Sequence, residues 1–176
     1  MRSKAGTQLK YLGLAGVFFV IIVLFTAFFK KPLNEWGQDG YVHLGDGFVY
    51  FAACLLPTPY AILAGAGGAA LADVLVGGWP WIFATIPIKA VTIRCFDSKD
   101  KKVLSLRNCI MMIPAMFFCV AGYVVFENFI GKDSFAPIIS ILYNIGQSLV
   151  ASLVFVLLGF VADKKKLKDR MEDYFV

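Results

Sequence analysis

The sequence predicts an all-α membrane protein, a single domain over residues 1–176 built as a bundle of six transmembrane helices. Three observations carry this. The chain is 59% hydrophobic and only 16% charged, with a mean hydropathy of +0.73, which is outside the usual mix of a soluble domain. Its apolar runs approach the roughly 20 residues that span a bilayer. The breaks between them are made by proline, glycine and clustered charge, the residues that end helices.

The first span, about 9–29, starts with the small residues Gly13, Ala15 and Gly16 and ends in a phenylalanine-rich stretch. It is longer than a signal-peptide core and has no small-residue cleavage pattern before Lys30 and Lys31, so it is expected to remain attached. The loop to Leu44 holds Trp36, Asp39, Tyr41 and His43; its aromatic residues suit the membrane interface. A short second span, about 46–56, begins at Asp46, placed where an N-cap would accept backbone N–H bonds. Pro57-Thr58-Pro59 then turns the chain, because proline cannot continue the helical ladder.

The third span, about 60–76, is dense in glycine and alanine, and Ala64, Gly68 and Ala72 form a small-residue ladder at four-residue spacing. Such a ladder lets two backbones approach closely, within the chain or against a partner. Gly77, Gly78 and Pro80 turn into the fourth span, about 81–96, which is kinked by Pro87. A charged loop around Asp97–Lys102 separates it from the fifth span, about 108–130. The sixth, about 137–162, is followed by a polar tail, 163–176, expected to continue as a surface helix.

The basic residues set an orientation. Arg2, Lys4 and Lys10, then Arg94, Lys99, Lys101, Lys102 and Arg107, then Lys164, Lys165, Lys166, Lys168 and Arg170 fall on one side, against Lys30, Lys31 and Lys132 on the other. By the positive-inside rule both termini are expected in the cytoplasm, the protein crossing the cell membrane several times. The same placement explains the net charge of +5 without nucleic acid. Cys54, Cys95, Cys109 and Cys119 form no CxxC pair and lie in or beside apolar segments, so neither a disulfide framework nor a zinc site is indicated.

Ionisable groups inside hydrocarbon are expensive and mark function by default. Asp73 and Lys89 therefore face a polar cavity or each other. Tyr123 and Glu127 share a face of the fifth span, as do Tyr143 and Gln147 on the sixth, with Asn144 beside them. Together these groups would line a pocket in the outer half of the membrane for a small, polar, ring-containing ligand. Bland readings stand beside that one: Asn144 and Gln147 as interhelical glue, Glu127 as a solvated interface residue, Asp46 as a cap. No Ser-His or Cys-His pair shares a face, so catalysis is not indicated, and Asp39, His43 and Asp46 are too scattered to indicate a metal. No cofactor is expected.

The segments YVHLGDGFVYFAACLL, AGGAALADVLVG, FATIPIKAVTI and YNIGQSLVASLV, in this order, resemble the substrate-binding S components of energy-coupling factor (ECF) vitamin transporters. The likeness is nearest to the riboflavin, hydroxymethylpyrimidine and pyridoxine branch, in the LGD ending at Asp46, the ALAD ending at Asp73, Lys89, and the Asn144–Gln147 pair. It implies a binding subunit that captures a vitamin or its precursor outside. Lys89, Tyr123, Glu127, Tyr143, Asn144, Gln147 and Asp73 would form the pocket, and Trp36, Tyr41, His43 and Asp46 the lid. Gly13, Ala15 and Gly16 approximate the family's small-residue pattern for docking to a transmembrane coupling protein, which works with two cytoplasmic ATPases. The chain has no GxxxxGK[ST] loop, so power would come from those partners. Where the family often has glycine after the lysine, this chain has Ala90-Val91-Thr92, which leaves the ligand unassigned. A self-contained, ion-coupled secondary transporter working through Asp73 and Glu127 is the alternative.

Overall fold

The structure, a computed structural model, describes residues 4–32, 41–130 and 136–175. It is all-α apart from one short strand pair. In order come α1 (Lys4–Ala27), β1 (Lys30–Pro32), β2 (Tyr41–His43), α2 (Gly45–Leu55), α3 (Thr58–Leu75), a 3-10 turn (Trp79–Trp81) and α4 (Ile82–Cys95). They are followed by α5 (Leu106–Ile110), α6 (Met112–Phe129), α7 (Ala136–Lys164) and α8 (Leu167–Phe175).

Four stretches are long and apolar enough to cross a membrane: Ala5–Ala27, Thr58–Leu75, Leu106–Phe129 and Ile139–Lys164. The other two expected spans form helices of 11 and 14 residues, α2 and α4. At 1.5 Å per residue these rise only about 16 and 21 Å, short of a hydrocarbon core of about 30 Å. The expected fifth span is broken at Met111 into α5 and α6.

The glycine-alanine ladder of α3 packs inside the chain. A methyl group added at Gly68 would lie 3.0 Å from the Phe19 carbonyl oxygen of α1, and one at Gly65 would lie 2.7 Å from Ile93 Cδ1 of α4. Both neighbours approach because those side chains are missing. Gly77 ends the α3 turn at φ +82°, a left-handed conformation that glycine adopts without strain. Deeper in the bundle, Tyr50 of α2 stacks on Phe96 at 4.8 Å between ring centroids, and Phe96 packs edge-on against Phe155 of α7 at 5.4 Å.

The strand pair was not legible in the sequence, where 30–44 reads as loop. β1 and β2 are antiparallel, with Lys30 opposite His43 and Pro32 opposite Tyr41, and they bracket residues 33–40. At the other end, the charged segment after α4 is tied down. Asn108 is fully buried; its amide accepts from Asp97 N at 2.9 Å and donates to the Asp97 and Val103 carbonyls, each at 3.2 Å. The Asp163 carboxylate of α7 accepts from Val103 N and Leu104 N at 2.8 and 2.9 Å. The polar tail forms α8, which lies back on the bundle through Leu167 and Met171, while Lys10 Nζ of α1 donates to the Tyr174 carbonyl at 2.6 Å.

Gly13, Ala15 and Gly16 do not share one surface. Ala15 is buried in the core, whereas Gly13 and Gly16 are exposed with open space in front of them. Leu9, Leu12, Val17 and Val20 of α1 are exposed as well.

Candidate ligand-binding site

The first turn of α2 starts the site. Gly45 brings α2 against α1 so closely that an added methyl would lie 1.9 Å from Thr26 Oγ1. Asp46 follows it into the interior. The cap reading for Asp46 is corrected here: Leu44 occupies the N-cap position of α2, and the Asp46 carboxylate turns to the other helices. Lys89 Nζ of α4 lies 2.7 Å from Asp46 Oδ2, the two side chains being 4% and 2% exposed. Two such groups in hydrocarbon persist only when paired and hydrogen-bonded.

Gln147 of α7 completes the pairing. Its Nε2 donates to the same Asp46 Oδ2 at 3.2 Å and to the His43 carbonyl at 3.1 Å, while its Oε1 accepts from His43 N at 2.8 Å. One amide thus reads both backbone groups of His43 and holds β2 to α7. His43 Nδ1 accepts from Gly45 N at 3.2 Å, which puts the neutral ring's proton on Nε2. Burial, with the Lys89 and Lys30 charges adding and the Asp46 charge opposing, lowers the His43 pKa to about 4. At neutral pH the ring is uncharged.

A second network lies alongside. Thr85 Oγ1 of α4 donates to Asp73 Oδ2 of α3 at 2.6 Å and lies 3.2 Å from Tyr123 OH of α6. The Tyr123 ring sits 5.7 Å from Lys89 Nζ, within cation-π range, and so joins the two networks. Trp81 packs against Tyr123 and Phe126, at 6.1 and 5.4 Å between centroids. Of the two readings left open for Asp73 and Lys89, a polar cavity or each other, the structure gives Lys89 to Asp46, and Asp73 accepts from Thr85.

Glu127, one turn beyond Tyr123 on α6, is 6% exposed, and its Oε2 is buried without a hydrogen-bond partner. Asp46 Oδ1 is in the same condition. Asn144 bonds within its own helix, Nδ2 donating to the Ser140 carbonyl at 2.9 Å and to Ser140 Oγ at 3.1 Å, so it is not glue between helices among the described residues. Tyr143 is half-buried on α7. Tyr41 belongs to β2; Trp36 and Asp39 lie outside the described residues. The sequence reading missed Thr85 and Thr26. Thr85 stands one turn before Lys89 on α4, and that four-residue spacing was the available signal.

The site thus gathers one ammonium, three carboxylates, an amide, an imidazole, a phenol and an indole from α2, α3, α4, α6, α7, β2 and the 3-10 turn, in the buried interior of the bundle. Its fixed acceptors and aromatic faces suit recognition of a small molecule. A family model described as ECF-type riboflavin transporter, S component, matches residues 7–164. No curated protein and no solved structure matches the chain.

Proposed function

The chain belongs to the family of S components of ECF-type riboflavin transporters, and from that premise we propose that it captures a small B-vitamin or vitamin precursor at the outer face of the cell membrane. The observation that carries this reading is the buried network of Asp46, Lys89, Gln147 and His43. Polar groups from separate helices are brought together at a cost that a packing role alone does not require.

In this reading Lys89, Tyr123, Glu127, Tyr143, Asn144, Gln147 and Asp73 line or support the pocket, and Asp46 and His43 fix its wall. The distribution of basic residues supports cytoplasmic termini. Six crossings follow if α2 and α4 enter as short helices, preceded by β2 and by the glycine- and tryptophan-bearing turn at 77–81. Uptake is driven by a transmembrane coupling protein and two cytoplasmic ATPases, and the exposed Gly13–Gly16 face of α1 is the proposed docking surface.

The test is a thermal melt of the purified protein in detergent against a panel of B-vitamins, with mass spectrometry of any small molecule retained through purification. A true ligand at a hundred times its Kd stabilises the fold by about 2.7 kcal/mol. A flat response across the panel, with nothing retained, would sink the reading.

A further inference from the structure

We propose that the end of the bundle where α7 meets α8 binds an anionic phospholipid. Lys102, Lys164, Lys165 and Lys166 hold its phosphate headgroup, and the exposed apolar face of α7 beside them takes its acyl chains. The orientation proposed above makes this the inner leaflet; vitamin capture does not enter the argument.

The two lysine runs lie far apart in the sequence and are brought together by one carboxylate. Asp163, the residue before the run at 164–166, accepts from Val103 N and Leu104 N at 2.8 and 2.9 Å, which seats the residue after Lys102 on the end of α7. Gly159, one turn earlier, makes room for the loop: an added methyl there would lie 2.6 Å from Leu104 Cδ2. Lys168 Nζ of α8 donates to the Ser98 carbonyl at 3.0 Å and holds the same loop from its other end. The four ammonium groups are thus placed in one region by bonds that do not use them.

All four lysines are exposed, and among the described residues none of their side chains is in an ion pair. Asp163 is spent on the two backbone amides. Asp169 and Glu172 line a cleft with Lys99, Lys101 and Lys168, where both signs meet, and none of the four lysines lines it. Like charges held together repel unless an anion covers them. Lys166 adds a backbone cost, since it sits at φ +51°, a left-handed conformation open to glycine without strain. A lysine there keeps a charge where glycine would fit better.

The neighbouring surface is apolar. Leu157, Phe160 and Val161 are 59, 62 and 50% exposed, and their spacing puts them on one face of α7 with Lys164, which stands about one turn beyond Phe160. Apolar surface that ends in uncompensated cations is the complement of acyl chains that end in a phosphate. Basic clusters bordering a membrane span take anionic headgroups in this way.

Native mass spectrometry of the purified full-length protein, released from a neutral detergent, tests this. The probes are dioleoyl phosphatidylglycerol and dioleoyl phosphatidylcholine at equal concentration, which share their chains and differ in charge. The anionic lipid is expected to be retained over the neutral one by about tenfold or more. Replacing all four lysines by glutamine should bring that ratio to within about twofold of unity, and the milder Lys165→Glu should lower it by about threefold or more. The variant R94Q/K99Q/R107Q/R170Q removes the same charge from the same end but outside the patch, and should keep the preference. Equal retention of the two lipids by the wild type overturns the proposal, as does a ratio unchanged in Lys165→Glu. A preference lost equally in both four-site variants also overturns it, because net charge alone would then be the cause. Excess glycerol 3-phosphate should leave the bound phosphatidylglycerol in place; displacement would mark a soluble-phosphate site and overturn the lipid assignment.

Discussion

Lys89 and Asp46 form an ion pair of 2.7 Å in which both side chains are almost wholly buried, and the pair joins α4 to α2. Removing one partner strands the other charge in the bundle, at a cost of about 3–5 kcal/mol. Lys89→Met and Asp46→Leu should each lower the unfolding midpoint in detergent sharply. The double variant should recover most of the loss, since apolar side chains of similar volume satisfy the same space. If the double variant is as unstable as the sum of the singles, the pair is not the coupled unit described.

Gln147 makes a different kind of link, from a side chain to both backbone groups of one residue. Gln147→Leu leaves His43 N and the His43 carbonyl without these partners, at about 1–3 kcal/mol. The local reading is hydrogen exchange. The His43 amide should lose protection before the helices do, and an unchanged exchange rate at that amide would contradict the geometry.

Thr85 and Tyr123 separate by rank. Thr85→Val removes the 2.6 Å donor to Asp73 Oδ2 and loses a charge-assisted bond, about 1.5–3 kcal/mol. Tyr123→Phe keeps the ring and gives up only a 3.2 Å contact to a hydroxyl, about 0.5–1.5 kcal/mol. Melts of the two variants should therefore fall in that order.

Gly45 sits against α1, and an added methyl meets Thr26 Oγ1 at 1.9 Å. Gly45→Ala should cost about 1–3 kcal/mol through displacement of one helix. Thr26 Oγ1 has no hydrogen-bond partner, so Thr26→Ala alone should be mild. Combined with Gly45→Ala it should return part of the loss, because the hydroxyl is the nearest obstacle. An equal loss with and without Thr26→Ala would place the clash elsewhere.

These residues also show what the sequence could and could not tell. Lys89 and Gln147 were legible because an ammonium and an amide inside apolar runs must find partners. The identity of the partner was not. Asp73 and Lys89 sit on consecutive helices and looked complementary, yet helix rotation about the turn at Gly77 decides which faces meet, and periodicity does not encode that angle. Asp46 looked like a cap because it stands at the head of a short helix, where sequence cannot distinguish a carboxylate bonded to its own backbone from one turned inward. Asn144 was ambiguous for a related reason: Ser140, one turn earlier, offers it an intrahelical partner. Thr85 carried no alarm at all, since threonine is ordinary in a membrane helix.

His43 supplies the pH test. Its pKa falls from an ordinary 6.5 to about 4 in the fold, chiefly because burial disfavours the charged ring. The unfolded chain therefore takes up a proton over a range in which the folded chain does not, and stability declines as pH drops. The sign is fixed by the direction of the shift: the contribution is intact above pH 6.5, erodes between 6.5 and about 4, and is gone below. The full span is worth at most about 3.4 kcal/mol at 1.36 kcal/mol per pKa unit. Protonation would place a cation beside Lys89 and deprive Gly45 N of its Nδ1 acceptor, so the first turn of α2 should feel it first. Melting midpoints measured from pH 7.5 to 4.5 should fall for the wild type, and the part due to this ring should vanish in His43→Asn, which keeps a side-chain acceptor near Gly45 N but cannot titrate. Parallel curves for the two proteins would mean that some other group governs the acid response.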